Sequence, residues 1–194
     1  MKRTIIALLL VACCISACFV GGTFAKYTST VTGSDTVTVA KWSIKVDDQD
    51  IAANQVPAFD LFTTANFDEA DNDVANGKIA PGTKGSFAFK VENEAEVTVE
   101  YGVSFTVTWP ANLSSAQFKF YSDSAMTNEI VLADGKYTVV ADGTELAIGA
   151  EAVTTTIYWQ WIFGDPANNT NDTAAGVAAG TLTIAPTITV NQVD

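Results

Sequence analysis

An all-β domain, an antiparallel β-sandwich of jelly-roll type with one short helix or irregular insertions, is what this sequence predicts, and three observations carry the expectation. Apolar residues recur with period two rather than 3.6 along most of the chain. Asp-Gly and Pro-Gly pairs fall between the apolar runs, where tight turns are required. No long helical pattern and no internal linker interrupt the alternation, so about eight to ten strands share one core.

The first 25 residues read as a targeting segment. Lys2 and Arg3 form a basic start, Ile5 to Val20 is an almost unbroken apolar run, and Gly21-Gly22-Thr23-Phe24-Ala25 supplies small residues before a polar stretch. That is the layout of a cleavable secretory signal, and the run is shorter than the roughly 20 residues that span a bilayer as a helix. Cleavage is expected after Ala25, making Lys26 the first mature residue, with residues 26–194 as a single domain. Cys13, Cys14 and Cys18 all lie inside the signal. Leu10-Val11-Ala12-Cys13 and Ile15-Ser16-Ala17-Cys18 also fit a lipobox, so acylation at Cys13 or Cys18 is the rival processing route.

Beyond the signal the elements follow in order. Lys26 to Val39 is rich in Thr and Val and holds no proline. Val37 and Val39 lie on one phase while Trp42, Ile44 and Val46 lie on the other, which predicts a bulge or bend near Val39-Ala40. Asp47 to Lys78 is acidic and irregular, and Pro81-Gly82 is a turn before a strand holding Phe87, Phe89 and Val91. The longest strand is Val97 to Trp109, with seven apolar residues on one face and none on the other. Asp134-Gly135 and Asp142-Gly143 divide Glu129 to Ile148 into a predicted three-strand meander. Val153 to Phe163 is a strand, and Asp165 to Gly180 is a loop with a helical turn or two over Thr173 to Ala179. Leu182 to Val190 is the last strand, where Pro186, lacking an N–H, marks an edge or a bulge.

Composition excludes much chemistry. The mature chain has eight basic against 22 acidic residues, a net charge of −14, which repels nucleic acid. Histidine is absent, so there is no imidazole base, no His triad and no His zinc site. The mature chain has no thiol, and no phosphate-binding or dinucleotide motif is present; paired carboxylates lack diagnostic spacing. The chain is therefore read as a non-enzyme that needs no cofactor. Calcium is one alternative: Asp68, Asp71 and Asp73, Asp47 to Asp50, and Asn168 to Thr173 bunch hard oxygen ligands, against which stands the reading that these are solvated turns. Trp109, Trp159 and Trp161 sit on apolar phases and are read as core rather than as a glycan platform.

Several segments resemble one family. Gly21-Gly22-Thr23-Phe24-Ala25-Lys26-Tyr27, followed by Thr28-Ser29-Thr30, resembles signals cut by a SipW-type signal peptidase. Ile79-Ala80-Pro81-Gly82 leading to Phe87-Ala88-Phe89-Lys90-Val91-Glu92-Asn93, then Trp159-Gln160-Trp161 and Asn171-Asp172-Thr173 with Gly176, keep the order seen in the TasA/camelysin family of biofilm-matrix and cell-surface proteins. Thr83 stands where that family often has Asp, and without histidine the metalloprotease label of camelysins does not carry over. The resemblance implies a secreted, extracellular jelly-roll subunit that polymerises with itself, in contact with other matrix or cell-wall components. On this view the freed strand, Lys26, Tyr27, Thr28, Ser29, Thr30, Val31 and Thr32 within residues 26–39, adds to the sheet of a neighbouring subunit. The sequence permits this physically, since a free strand can pair with an exposed edge; it equally permits pairing within its own domain. The alternative function is a monomeric adhesin or glycan-binding module of the same fold.

Overall fold

Alternation over nine or ten residues gives a strand one face to bury, and the segments around Phe89, Val103 and Ile157 form the centre of two sheets. The computed structural model describes residues 37–53, 57, 59, 61–62, 74–75 and 77–193. One sheet contains, in spatial order, β2 (Gln49–Asp50), β1 (Ile44–Val46), β3 (Lys84–Asn93), β8 (Val153–Trp161) and β5 (Phe118–Tyr121). The other contains β6 (Leu132–Ala133), β7 (Lys136–Leu146), β4 (Val99–Thr108) and β9 (Thr183–Gln192). Every pairing is antiparallel. The described residues add one helix, α1 (Asn169–Ala178), and a 3₁₀ turn at Ile51–Ala53, and this is the expected all-β sandwich.

The core lies between the sheets. Val99, Tyr101, Val103 and Phe105 of β4 are buried, as are Phe87, Phe89 and Val91 of β3, Ile157, Trp159 and Trp161 of β8, and Phe118 and Phe120 of β5. Each such side chain contributes about 1.5–3 kcal/mol by leaving water. Trp159 stacks on Phe118 with ring centres 5.3 Å apart, and Trp109 packs edge-on against Phe118. The tryptophans on apolar phases are thus core, as their spacing predicts.

Asn93 joins the sheets at one end. Its side-chain amide donates to the carbonyls of Val97, Leu146 and Ala147, and its Oδ1 accepts from the Ala95 N–H. The links β3–β4 and β7–β8 meet there, at what is called the upper end below. The lower end holds Pro110, Trp161 and α1.

Turn chemistry explains several connections. Asp134 and Gly135 both have positive φ, the conformation of a two-residue hairpin turn. At Pro81-Gly82 the Thr83 N–H donates to the Ala80 carbonyl at 3.0 Å, and Gly82 has φ +95° as a type II turn requires. The Thr83 hydroxyl donates to the same carbonyl at 2.8 Å, so threonine closes this turn where the resembling family often has Asp.

Four expectations are corrected. Asp142-Gly143 is not a hairpin: β7 runs through it, and the extra residues form bulges opposite Tyr101 to Ser104. Long β4 offers a continuous partner, so the positive φ of Gly143 serves a bulge instead. The strand predicted to Phe163 stops at Trp161, and Phe163 is exposed beyond the Trp161–Thr83 backbone hydrogen bond that ends the ladder. Val37 and Val39 lie outside any strand, and the first strand among the described residues starts at Ile44 with no bulge at Val39-Ala40. The oxygen-rich stretch Asn169 to Thr173 is not a loop but the opening of α1, whose Asp172 points inward.

Gly102 is required by the bulge. A Cβ there would lie 1.9 Å from Asp142 Oδ1 and 2.9 Å from its Cα. Gly102→Ala should therefore cost about 1–3 kcal/mol by overpacking, measured as a lower urea midpoint; an unchanged midpoint would show that β7 yields freely.

The β1–β2 hairpin turns on Asp47 and Asp48, both with positive φ. Asp47 Oδ1 accepts the Lys90 N–H at 2.9 Å and Asp48 pairs with the Lys90 ammonium at 2.6 Å, while Glu94 pairs with Lys45. A hydrogen bond from Lys45 lowers the Glu94 pKa, one from Lys90 lowers that of Asp48, and the Asn128 N–H lowers that of Asp123. Folded-state values below the unfolded ones mean stability that is present above the ordinary carboxylate range and lost as pH falls through the lowered values. Thermal midpoints should thus fall between about pH 5 and pH 3, and an Asp48→Asn, Glu94→Gln double variant should show a shallower fall. An identical slope in the variant would remove these pairs from the account.

Candidate functional site

A sandwich has four sheet edges, and each unpaired edge is a template for another strand unless it is short, charged, bulged or covered. Three of the four here are guarded. β2 has two residues and passes into a 3₁₀ turn. β5 is covered by the segment after it, where Ile130 N–H donates to the Phe120 carbonyl, Ser122 N–H to the Asn128 carbonyl, and Lys119 pairs with Glu129 at 2.7 Å. β7 is part-covered by β6, bulged, and charged at Lys136, Asp142 and Glu145.

β9 is different. It pairs with β4 in one unbroken register from Thr183 opposite Thr108 to Gln192 opposite Val99, with no bulge. No strand among the described residues lies on its other side. Its ten residues, TIAPTITVNQ, include no charge.

The phase of its backbone follows from one hydrogen bond. Val193 N–H donates to the Thr98 carbonyl at 3.1 Å, so odd-numbered residues face β4 and even-numbered residues face outward. The outward backbone groups belong to Ile184, Pro186, Ile188, Val190 and Gln192. Pro186 sits in the regular register at the edge rather than in a bulge, and its missing N–H removes one outward donor while four remain.

The side chains alternate with equal clarity. Thr183, Ala185, Thr187, Thr189 and Asn191 are exposed, whereas Ile184, Ile188 and Val190 are half-buried against the core. In a completed sandwich the inward residues of a ten-residue strand are buried on both flanks. Here not one residue of β9 is buried, and among the described residues its apolar row is flanked by a strand on one side only.

α1 is pinned beside the start of β9. Asp172 is 7 % exposed, and its Oδ1 accepts the Trp161 indole N–H at 2.9 Å and the Gln117 amide N–H at 3.2 Å. Gln117 in turn donates to the Asn112 carbonyl and accepts the Ser114 hydroxyl. This network makes Asp172 of Asn171-Asp172-Thr173 a structural anchor, satisfied by neutral donors as a buried carboxylate must be. Beneath α1 lies a cavity of about 440 Å³ lined by Phe62, Ile79, Leu113, Trp161 and Leu182 among others.

The sequence-predicted sites fall differently. Ala25, the assembly strand Lys26 to Thr32, and the calcium candidates Asp68, Asp71 and Asp73 lie outside the described residues. Among the described residues no three Asp or Glu come together to hold a metal. Asp47, Asp48 and Asp50 are engaged within the β1–β2 hairpin, Asp50 accepting from the Ser43 hydroxyl and the Ala52 N–H. Trp42 is 41 % exposed with no ring partner among the described residues. Sequence reasoning named Asn93 and Asp172 only as parts of motifs, without their buried hydrogen-bonding roles, and passed over Gln117. The signal for Asn93 was an amide ending an apolar strand, where carbonyls of two different segments need a donor.

No family model matches this chain, and no curated protein does either.

Proposed function

We propose that this protein is a secreted structural subunit of matrix or cell-surface filaments, built by β-strand donation. The segment freed by cleavage after Ala25 adds to the sheet edge of a neighbouring copy. The observation that carries this reading is the edge of β9, long, regular, uncharged and open among the described residues while the other edges are guarded. Such an edge aggregates unless it has a partner to receive, and backbone pairing supplies affinity for any extended segment of compatible phase. The resemblance of the signal and strand motifs to the TasA/camelysin family supports the same reading, and cleavage by a SipW-type peptidase would release the strand only after export.

Negative-stain electron microscopy of the chain beginning at Lys26, beside a chain lacking residues 26–34, each with and without calcium, tests the proposal. Filaments from the first and not the second are expected. Monodisperse particles in all four samples would sink it and favour a monomeric adhesin, for which exposed Trp42 has no second ring beside it among the described residues.

A further inference from the structure

We infer that the cavity under α1 binds a single-chain amphiphile, its apolar chain against the cavity floor and its carboxylate head beside Lys78. The site lies at the lower end of the sandwich, away from the Asn93 junction at the upper end. It is independent of strand donation and stands or falls whether or not the subunits assemble.

The fold builds the cavity by holding α1 at two points. In its first half Asp172 accepts the Trp161 indole N–H and the Gln117 amide N–H. Just past its other end Gly180 lies so close to Pro110 that a Cβ there would come 2.5 Å from the proline Cβ. Between these anchors the helix turns Ala175, Gly176 and Ala179 to the cavity, and a Cβ at Gly176 would meet nothing within 4 Å. The helix thus spans the gap without filling it.

The floor is apolar. Leu113, Trp161 and Ala175 are buried, and Phe62, Ile79 and Leu182 are half-buried around them. Protein interiors close such gaps to the density of organic crystals, and apolar side chains that face a void forfeit their contacts on that side. An apolar ligand restores those contacts, and cavities with such walls take one up. At about 440 Å³ the space falls within the range of about 300–1,000 Å³ that holds small molecules, enough for one alkyl chain and not for the two of a membrane lipid.

The mouth decides the head group. Exposed Gly77 and Lys78 border it, as do Gly176, Ala179, Gly180 and Thr181. Lys78 is the single charged residue of the lining, and no acid belongs to it. Lys41, Lys45, Lys90, Lys119 and Lys136 all pair with carboxylates, whereas Lys78 makes no ion pair among the described residues. In a chain with 22 acidic residues, an ammonium left without a carboxylate at the rim of an apolar cavity calls for an anion from outside. The carbonyls that end α1 carry the negative pole of the helix and repel an anion, so the head lies at Lys78 and the chain runs inward over Leu113 and Trp161. A charge-assisted hydrogen bond from the ammonium then fixes the carboxylate.

The test uses the chain beginning at Lys26, which contains no cysteine, so a single introduced thiol reports its own surroundings. Ala179→Cys places that thiol at the mouth, and Ala185→Cys places it on the exposed outer face of β9. Decanoate is expected to slow alkylation of the first by iodoacetamide roughly tenfold and to leave the second unchanged, while acetate affects neither. By calorimetry Lys78→Gln should weaken decanoate binding by roughly fivefold or more and leave decanol binding as it was. No protection of Ala179→Cys would mean that the cavity is closed or held by the chain's own side chains, and would overturn the site. Equal protection of Ala185→Cys would reduce the effect to surface adsorption, and protection that grows with protein concentration alone would make a second copy the occupant. Protection by phosphatidylglycerol vesicles as strong as that by decanoate would replace the single chain with a membrane surface. Decanoate bound by Lys78→Gln as tightly as by the parent would overturn the placement of the head.

Discussion

Phe105→Ala should lower the stability of the domain by about 3–5 kcal/mol, the cost of a large core aromatic replaced by a methyl group. Phe105 is fully buried and touches both sheets. Its ring lies 4.8 Å from that of Phe120 in edge-to-face geometry, 5.0 Å from Tyr137 in a stack tilted by 13°, and 6.0 Å edge-on from Phe87. β3 and β5 on one side and β7 on the other thus lean on a single side chain of β4. The void left by truncation is walled by rings held in their own sheets, so collapse is limited and the cavity term stays large. Phe105→Leu keeps much of the volume and should cost under about 1.5 kcal/mol. Urea unfolding followed by tryptophan fluorescence measures both. A loss below about 1.5 kcal/mol for the alanine variant would mean that the sheets repack around the gap, contrary to close packing in protein interiors.

Asn93→Asp should cost about 3 kcal/mol or more, although it changes the shape of the side chain hardly at all. Asn93 is 3 % exposed, and its amide faces three carbonyls, those of Val97 and Leu146 at 3.0 Å and of Ala147 at 3.2 Å. Aspartate would put an oxygen in front of all three and leave them without the donor, each buried unsatisfied group costing about 1–3 kcal/mol. Protonation of the new carboxyl restores one donor, so the deficit relative to the parent should shrink as pH is lowered. For a domain of this size the thermal midpoint should drop by roughly 6–12 °C at neutral pH. If Asn93→Asp melts with the parent, the amide is not what ties the β3 end to the β7–β8 link.

The strands that alternate for ten residues were legible because period two is a local property. β3, β4, β8 and β9 can be read from Phe87 to Val91, Val99 to Phe105, Ile157 to Trp161 and Ile184 to Val190 without knowing which strand lies beside which. Turn residues were legible only where their backbone demand has one solution. Asp134-Gly135 makes the hairpin it predicts, yet Asp142-Gly143, with the same chemistry, bends a continuous strand. A positive φ serves a turn or a bulge equally, and the length of the facing strand β4 chooses between them. Likewise Asn169 to Thr173 reads as a polar loop until Trp161 and Gln117 present N–H groups that need a buried acceptor, and the helix that places Asp172 under them becomes favourable.

The sequence by itself determined that the chain is acidic, lacks histidine, holds its three cysteines within the first 18 residues, and folds with alternating strands around an aromatic core. Those follow from composition and from the two-residue repeat of an extended backbone, neither of which depends on contacts between distant residues. Only the tertiary structure decided which strand has no neighbour on one side among the described residues. Pro186 marked β9 as peripheral, but the sequence could not say that β5 and β7 would be covered or bulged while β9 keeps one register over its full length. Edge status is a property of what lies beside a strand, and the chain sets it through sheet order, the one feature that a linear pattern does not contain.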